Sequence, residues 1–194
     1  MTALYEDALA TLANWQPTSE AADLARKQTL ELLTAGPVAM TRAHRPGHVT
    51  ASALVVDPDG RLLLCLHGRM KLWMQLGGHC EPSDLTLAAA ALREATEESG
   101  IPGLTLDPNP IDVDIHPVRC KPADDADQAT ETHHYDVRFL VRAPAGAIEQ
   151  ISDESAALAW FSPDELPSPL ASGMLNQIPP ALSRLRFPPR PRLG

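Results

Sequence analysis

Three glutamates in one short segment are the residues of this chain best placed to do chemistry. Glu94, Glu97 and Glu98 lie three and four residues apart in an alanine-rich stretch. In a helix these spacings bring the three carboxylates onto one face, with neighbouring side chains about 5–6 Å apart. Crowded negative charges cost free energy unless a cation collects them. Because Mg²⁺ and Mn²⁺ prefer oxygen ligands, the spacing predicts a site for one of these ions.

The residues beside the glutamates help to decide between this site and a simpler interpretation. The Gly77-Gly78 pair upstream can bring a backbone carbonyl close to the same place. The simpler interpretation is a solvated helix face with accidental repetition of charge. Taken alone, the triplet favours this simpler interpretation. Arg93 before the glutamates and Gly100 after them favour the metal site only through the resemblance of the whole segment to a known signature.

The whole segment resembles the signature of the Nudix hydrolase family, G-x5-E-x7-R-E-U-x-E-E-x-G-U, in which U is aliphatic. Residues 93–101, REATEESGI, match the second half at every specified position, with Ala95 as the aliphatic residue. The first half departs from the pattern, since Gly78-x5 leads to Asp84 instead of glutamate and eight residues, not seven, separate Asp84 from Arg93. A one-residue insertion reconciles the two halves and leaves the role of Asp84 open.

The resemblance implies a fold and an activity. The fold is an α/β/α sandwich around a mixed β-sheet, and the activity is Mg²⁺- or Mn²⁺-dependent hydrolysis of a diphosphate linkage in a nucleoside diphosphate joined to another moiety. The implied metal ligands are the Gly78 carbonyl, Glu97, Glu98 and Glu94, with Glu94 acting either as a ligand or as the general base. Arg93 would hold a carboxylate in place by charge-assisted hydrogen bonds, so the catalytic set is Arg93, Glu94 and Glu98.

Polar side chains outside the segment are candidates for substrate contacts. Residues 111–116 and 134–139 alternate apolar and polar side chains, which predicts two strands with one buried and one polar face. That polar face either lines the substrate site or is an exposed sheet surface. A small basic cluster before the first strand either anchors a phosphate or forms charge pairs at the domain edge. The substrate-binding candidates are Arg45, His48, His79, His116, His134, Asp136 and Arg138, and Glu131 and Glu154 are candidates for an additional carboxylate.

Composition limits the class of protein. The chain has 194 residues, 44% of them hydrophobic, which fits one globular domain with a sizeable core. A formal net charge of −9 argues against binding a nucleic-acid polymer or a membrane surface, but it allows a small, nucleotide-derived phosphorylated substrate held through a metal ion. The three cysteines are too few and too scattered for a disulfide framework or a zinc cage, and the N-terminus lacks a secretory signal, so we expect a cytoplasmic location.

The chain divides into a helical extension over residues 1–40, the main domain over 41–186 and a Pro/Arg-rich tail over 187–194 that we expect to be mobile. The extension carries two predicted helices, and it either packs on the main domain or mediates a homodimer. In the first helix Leu4, Ala8 and Leu12 share one stripe. In the second helix the residues expected to point inward are Ala21, Leu24, Ala25 and Leu32.

In the main domain we predict strands over residues 49–56, 61–66 and 157–161 and a helix over 85–99. Residues 102–110 read as a loop, 162–166 as the start of a helix, and residues around 180–185 as a last short helix.

Two functions remain open at this point. The first is the metal-dependent hydrolase, with a nucleoside triphosphate, ADP-ribose or a nucleotide sugar as the substrate class. The alternative is a non-catalytic Nudix-fold module that senses a nucleotide. The complete acidic triplet argues against the alternative, because a pure binding protein gains nothing from such charge crowding.

Overall fold

The computed structural model describes residues 1–121, 129–151 and 155–186, and these form a mixed seven-stranded sheet with helices on both faces. The predicted tail and Glu154 lie outside the described residues. The helices and strands, in chain order, are α1 Thr2–Asn14, α2 Glu20–Leu32, β1 His48–Val56, β2 Leu62–His67, β3 Trp73–Met74, β4 Leu76–His79, α3 Leu87–Ser99, β5 Thr105–Cys120, β6 Thr130–Arg142, β7 Ser155–Phe161 and α4 Ile178–Arg186, with 3-10 turns at Leu33–Ala35, Pro37–Met40 and Met174–Gln177.

Strand β1 is the centre of the sheet. The strand order is β3-β2-β1-β6-β5, with β4 also paired to β1 and β7 to β2. The β1–β6 pair is parallel and every other named pair is antiparallel. On the edge of β1 away from β6, β4 pairs with Thr50 to Ala53 and β2 pairs with Val55 and Val56. The sheet therefore divides at this edge, and β4 brings the Gly77-Gly78 pair beside the first half of β1.

Alternation along β1 separates two hydrophobic cores. Val49, Ala51, Ala53 and Val55 belong to the core that also holds buried residues of α1, α2 and α3. Leu54 and Val56 face the other core, which includes Ile178 and Ala181 of α4. Successive side chains of a strand point to opposite faces, so the sheet lies between two helical layers. This is the α/β/α arrangement predicted from the resemblance.

The N-terminal helices pack on the main domain of the same chain. Leu4, Ala8 and Leu12 of α1 are fully buried in the first core, as the predicted stripe requires. Asp7 Oδ2 accepts a hydrogen bond of 2.8 Å from the backbone N–H of Leu87, the first residue of α3. The extension therefore also satisfies a free N–H group at the start of the helix that carries the glutamates.

The buried stripe of α2 matches the prediction only in part, since Ala25 is buried but Ala21 is exposed. Ala22, Ala25 and Thr29 are buried, whereas Leu24, expected inward, is 58% exposed. Small side chains on the inner face let α2 approach the core closely, and this packing outweighs the preference of a single leucine for burial.

Three element boundaries also differ from the prediction. Helix α3 begins at Leu87, because the Thr86 side chain caps it by accepting a hydrogen bond from the backbone N–H of Ala89. Strand β5 begins at Thr105, within the predicted loop, and irregular pairing with β6 between Leu106 and Asp112 accommodates two prolines. Residues 162–166 form a turn instead of a helix start. Among the described residues, no helix has the length and apolar character needed to cross a membrane.

Candidate active site

A cavity of about 910 Å³ opens between α3, the first half of β1 and the adjoining ends of β5 and β6. Its lining combines the glutamates with polar residues of the sheet. The residues that matter below are Thr50 and Ser52 of β1, Gly77, Gly78 and His79 of β4, Glu94, Glu97 and Glu98 of α3, and His116, Cys120, His134 and Asp136 of β5 and β6. One face of β1 changes character along the strand. It carries the polar side chains Thr50 and Ser52 at the cavity and the buried apolar side chains Leu54 and Val56 beyond it.

The packing of α3 turns its three glutamates toward this cavity. Thr86 caps the first turn, and Gly100, with φ of 64°, ends the helix in the left-handed conformation that favours glycine. The inner face consists of Leu87 and small residues, with Ala91 and Ala95 fully buried against the sheet. The side next to this inner face, which packs against β4, presents the acidic face, which we define as Glu94, Glu97 and Glu98.

The two glycines of β4 bring the backbone against the acidic face. A side chain at Gly78 would place its Cβ 2.9 Å from the carboxylate of Glu94. A Cβ at Gly77 would lie 2.3 Å from that of Ser52, and the Gly77 N–H donates to Glu98 Oε2 at 3.0 Å. Any larger residue at either position would push β4 away from the helix or from β1.

Arg93 holds the acidic face in place. Its Nη1 donates to Glu94 Oε1 at 3.0 Å and to Glu97 Oε2 at 3.1 Å. Its Nη2 also donates to the carbonyl oxygen of His79 at 3.0 Å, which ties the helix to the end of β4. Hydrogen bonding to Asp84 is the main reason that the pKa of Arg93 is raised.

Asp84, whose role the sequence leaves open, is the principal partner of Arg93. It is 6% exposed, and its Oδ1 and Oδ2 accept from Nε and Nη2 of Arg93 at 3.1 and 3.0 Å. The backbone N–H of Glu81 donates to the same carboxylate at 2.7 Å. Asp84 thus closes the loop before α3 and fixes the arginine, so the departure from the family signature leaves the acidic face supported.

The acidic face fits a hard divalent cation. Arg93 lies within 4.0 Å of four carboxylates, those of Glu81, Asp84, Glu94 and Glu97, so negative charge exceeds positive charge among these groups. Carboxylate oxygens, together with a backbone carbonyl at a glycine that packs directly on Glu94, are the donors that Mg²⁺ and Mn²⁺ prefer.

The polar face of β5 and β6 is buried, not an exposed sheet surface. Asp136 accepts hydrogen bonds from Thr50 Oγ1 at 3.0 Å and from Ser52 Oγ at 2.7 Å. Arg138, 1% exposed, forms ion pairs of 3.0–3.1 Å with Asp112, Asp114 and Asp136. Of these predicted residues, His116, His134 and Asp136 line the cavity, and Arg138 is held behind them.

Burial and the charge of Arg138 shift the pKa values of the carboxyl groups in this network in opposite directions. Burial acts to raise the pKa of Asp136, but the adjacent guanidinium of Arg138, together with the hydrogen bond from Ser52 and the other polar neighbours, outweighs burial and lowers that pKa. Burial raises the pKa of Asp112 to about 6, even though Arg138 acts in the opposite direction. The network therefore supports the cavity wall and keeps its carboxylates engaged with arginine.

Three histidines and a cysteine meet at one wall of the cavity. His48 and His134 are directly paired across the parallel strands β1 and β6, and His79 ends β4. The three ring centroids lie 4.9–5.1 Å from one another, and Cys120 Sγ lies 3.3 Å from His79 Nε2. Burial lowers the pKa of His48 to about 4, of His134 to about 3 and of His79 to about 2, so the three rings are neutral at pH 7.

Two other predicted residues lie away from this cavity lining. Arg45 is exposed and donates to Thr130 Oγ1 at 3.1 Å. Glu131 is exposed on β6, opposite Arg119 of β5. The sequence reasoning missed a basic rim, which we define as the exposed residues Arg42, Arg69, Arg119 and Lys121 at the cavity. Only Arg42 belonged to the basic cluster recognised before the first strand, since the other three come from separate segments.

Comparison with known proteins gives a consistent result. The NUDIX domain family matches residues 46–180. A MutT-like protein from Streptomyces ambofaciens is 29% identical over 128 residues, covering 63% of this chain and 69% of that protein. The solved structure of a C. elegans Ap4A hydrolase superposes with a TM-score of 0.53 at 17% identity, covering 71% of this chain and 97% of the other. A NUDIX-family hydrolase from Clostridium perfringens gives a TM-score of 0.51 at 24% identity, covering 75% and 99%.

The two structural likenesses concern the fold, and they agree with the sandwich described above. The family match covers well over half of the chain and contains the glycine pair, Arg93 and the acidic face. From this match, and from the geometry that places those residues together, the chain belongs to the Nudix hydrolase family.

Proposed function

We propose that this protein is a Nudix-type pyrophosphohydrolase that uses Mg²⁺ or Mn²⁺ to cleave a diphosphate linkage in a small nucleotide-derived substrate. The observation that carries the proposal is the convergence of the acidic face and the glycine pair of β4 at one end of a large cavity. Membership of the Nudix family supports the reaction class.

The Gly78 carbonyl oxygen and the carboxylates of Glu97 and Glu98 would hold the ion, with Glu94 beside them. When bound, such an ion neutralises charge on the phosphates and makes a water molecule more acidic. Hydrogen bonds orient both carboxylates toward the proposed ion site. The N–H of Gly77 donates to Glu98, and Arg93 donates to Glu97. These contacts limit side-chain movement before any ligand arrives.

Glu94 is the residue that would either complete the ligand set or accept the proton of the attacking water. Arg93 and the backbone at Gly78 confine its carboxylate from two sides. In the reaction, the water oxygen bonds to phosphorus, the bond from phosphorus to the bridging oxygen breaks, and the leaving phosphate departs with that oxygen. Arg93 positions this carboxylate throughout.

The basic rim supports an anionic substrate. Four cationic side chains surround the cavity of a protein whose formal net charge is −9. Local positive charge at a cleft attracts phosphorylated ligands even where the whole molecule is acidic. We infer that the rim receives the part of the substrate that lies beyond the cleaved linkage.

The compartment that we propose is the cytoplasm. All three cysteines are free thiols, as is usual in a reducing environment. Burial raises the pKa of Cys80 to about 12, so this thiol, although it lines the cavity, does not supply a thiolate nucleophile.

A substrate panel tests the proposal. Nucleoside triphosphates, ADP-ribose, nucleotide sugars and dinucleoside polyphosphates would each be incubated with Mg²⁺ or Mn²⁺, with EDTA as the control. The nucleotide products would be separated by chromatography, because only the triphosphates release phosphate or pyrophosphate, whereas ADP-ribose and nucleotide sugars yield a nucleoside monophosphate and a sugar phosphate. We expect turnover of at least one class, abolished by EDTA. Binding of a nucleotide without turnover of any substrate in the panel would instead support the alternative, a non-catalytic nucleotide-sensing module.

A further inference from the structure

The histidine–cysteine cluster, defined as His48, His79, Cys120 and His134, is a second group of metal-ligand side chains. His79, Cys120 and His134 line the same cavity, and His48 is buried behind them. Each residue comes from a different strand, namely β1, β4, β5 and β6. One ring nitrogen from each histidine and the Sγ of Cys120 all lie within 4.8 Å of one another. The cluster shares no residue with the acidic face and offers nitrogen and sulfur in place of oxygen.

Unpaired ring nitrogens point to a ligand at this place. His48 is 1% exposed, yet neither its Nδ1 nor its Nε2 has a hydrogen-bond partner in the part of the chain that the structure describes. The same holds for the buried Nε2 of His134. Buried polar atoms are nearly always paired, because an unpaired one forfeits its interaction with water. His116, in contrast, is engaged by Asp114 through a contact of 2.8 Å.

We propose that this cluster binds one Zn²⁺ ion through the three imidazoles and the Cys120 thiolate. Imidazole and thiolate are the donors that zinc prefers, and three histidines with one cysteine complete a tetrahedral set. Zinc ligands lie about 2.0–2.3 Å from the ion, which separates them from one another by roughly 3.3–3.8 Å. The Cys120–His79 contact of 3.3 Å is already in this range, and small side-chain rotations would bring in the others.

A zinc ion here would shape the proposed active site without entering its chemistry. Four protein ligands close the coordination sphere, as in structural zinc sites. His79 directly follows Gly78, and its carbonyl oxygen accepts from Arg93. Zinc at the His79 ring would therefore tie the end of β4 to β1, β5 and β6, and would fix the backbone against which the acidic face packs.

The test uses the full-length chain and Zn²⁺ alone, without nucleotide. Metal-free protein is dialysed against Zn²⁺, the bound zinc is counted, and X-ray absorption at the zinc edge reports the donor atoms. We expect one tightly bound ion per chain with one sulfur and three nitrogen neighbours. Cys120→Ser should remove the sulfur signal and weaken zinc affinity by at least about 10-fold, since even the loss of an indirect support of a ligand costs 10–100-fold.

Two matched variants separate this site from others. Cys80→Ser removes a thiol that also lines the cavity but lies outside the cluster, and it should bind zinc like the unaltered protein. Glu98→Gln disables the acidic face and should keep the zinc site. Cobalt substitution adds a readout, since a thiolate–Co²⁺ charge-transfer band is expected and should be lost in Cys120→Ser. Zinc with only oxygen neighbours, or zinc lost in Glu98→Gln and retained in Cys120→Ser, would overturn the proposal while leaving the proposed hydrolase untouched.

Discussion

At the scale of single residues, Arg93 and Asp84 show how the chain tolerates a departure from the family signature. Arg93 contacts both Asp84 and the acidic face, so the loop before α3 and the glutamates share one guanidinium. Bidentate arginine–carboxylate pairs are strong and geometrically specific. Moving the acidic residue by one position is therefore acceptable as long as its carboxylate still reaches the arginine.

Asp84→Ala should weaken both stability and turnover. It removes a nearly buried acceptor of two side-chain hydrogen bonds from Arg93, and we expect a loss of about 1.5–3 kcal/mol in the free energy of unfolding, as for hydrogen bonds to charged groups. Urea denaturation measures it, and kcat should fall because Arg93 no longer fixes Glu94. Asp59→Ala, at an exposed turn, is the control. Equal stability of the two variants would show that the Asp84–Arg93 pair contributes little.

The sequence could predict the acidic face but not the histidine–cysteine cluster. The three glutamates are local, so helical spacing alone places them together. The cluster joins residues from positions 48 to 134, and its members become neighbours only through strand pairing such as His48 opposite His134. The cysteine count argued against a zinc cage, but it carried no information about histidines on other strands.

At the scale of elements, α1 forms part of the main core. Leu12 is fully buried, and Asp7 bonds to the first residue of α3. The helical spacing of Leu4, Ala8 and Leu12 predicted the buried face of α1 because the stripe is continuous. In α2 the apolar residues are sparse, and the choice between two adjacent stripes depends on close packing that the spacing does not reveal.

Leu12→Ala tests whether α1 and the main domain unfold together. Removing a fully buried leucine should cost about 2–5 kcal/mol, with a single unfolding transition. Leu24→Ala on α2 is the matched control, because this leucine is 58% exposed and its removal should cost little. Thermal and urea unfolding followed by circular dichroism give both values. Similar small effects for the two variants, or two separate transitions, would contradict a shared core.

At the scale of the whole molecule, the fold separates two kinds of charge at one cavity. The acidic face lies on α3, the basic rim comes from distant segments, and neutral histidines form part of the wall between strands. The family signature predicted the sandwich and the position of the acidic face within it. The basic rim and the buried polar face could not be predicted in the same way, because they depend on the lengths of β5 and β6. Strand β5 begins at Thr105, although the prolines in this stretch favour a loop.

Acid should destabilise the metal-free protein. The pKa values of His48, His79 and His134 fall from 6.5 to about 4, about 2 and about 3 on folding, so the unfolded chain binds more protons between about pH 6.5 and 4. Stability is then greatest above pH 6.5 and falls as the pH drops. Asp112 acts in the opposite direction. Its pKa rises to about 6 on folding, so the folded chain binds one more proton at this residue near pH 5. A net of two protons then gives a slope near pH 5 of about 2.7 kcal/mol in the free energy of unfolding per pH unit.

Urea denaturation in EDTA from pH 7.5 to 4.5 measures this slope. Replacing His48 with glutamine should reduce it, because one histidine no longer takes up a proton on unfolding. His133→Gln, at an exposed neighbouring position of β6, should leave it unchanged. Stability that stays constant or rises as the pH falls would show that the three rings are not neutral in the folded protein.

If a divalent ion on the acidic face drives hydrolysis, the turnover of Glu98→Gln will reveal it. On the best substrate of the panel with Mg²⁺ or Mn²⁺, kcat/KM should fall at least about 100-fold, since metal stabilisation of transition-state charge is worth several kcal/mol. The unfolding curve should be retained, and Glu165→Gln, at an exposed turn, should be fully active. Glu98→Gln with the same metal-dependent turnover as the unaltered protein would contradict the account.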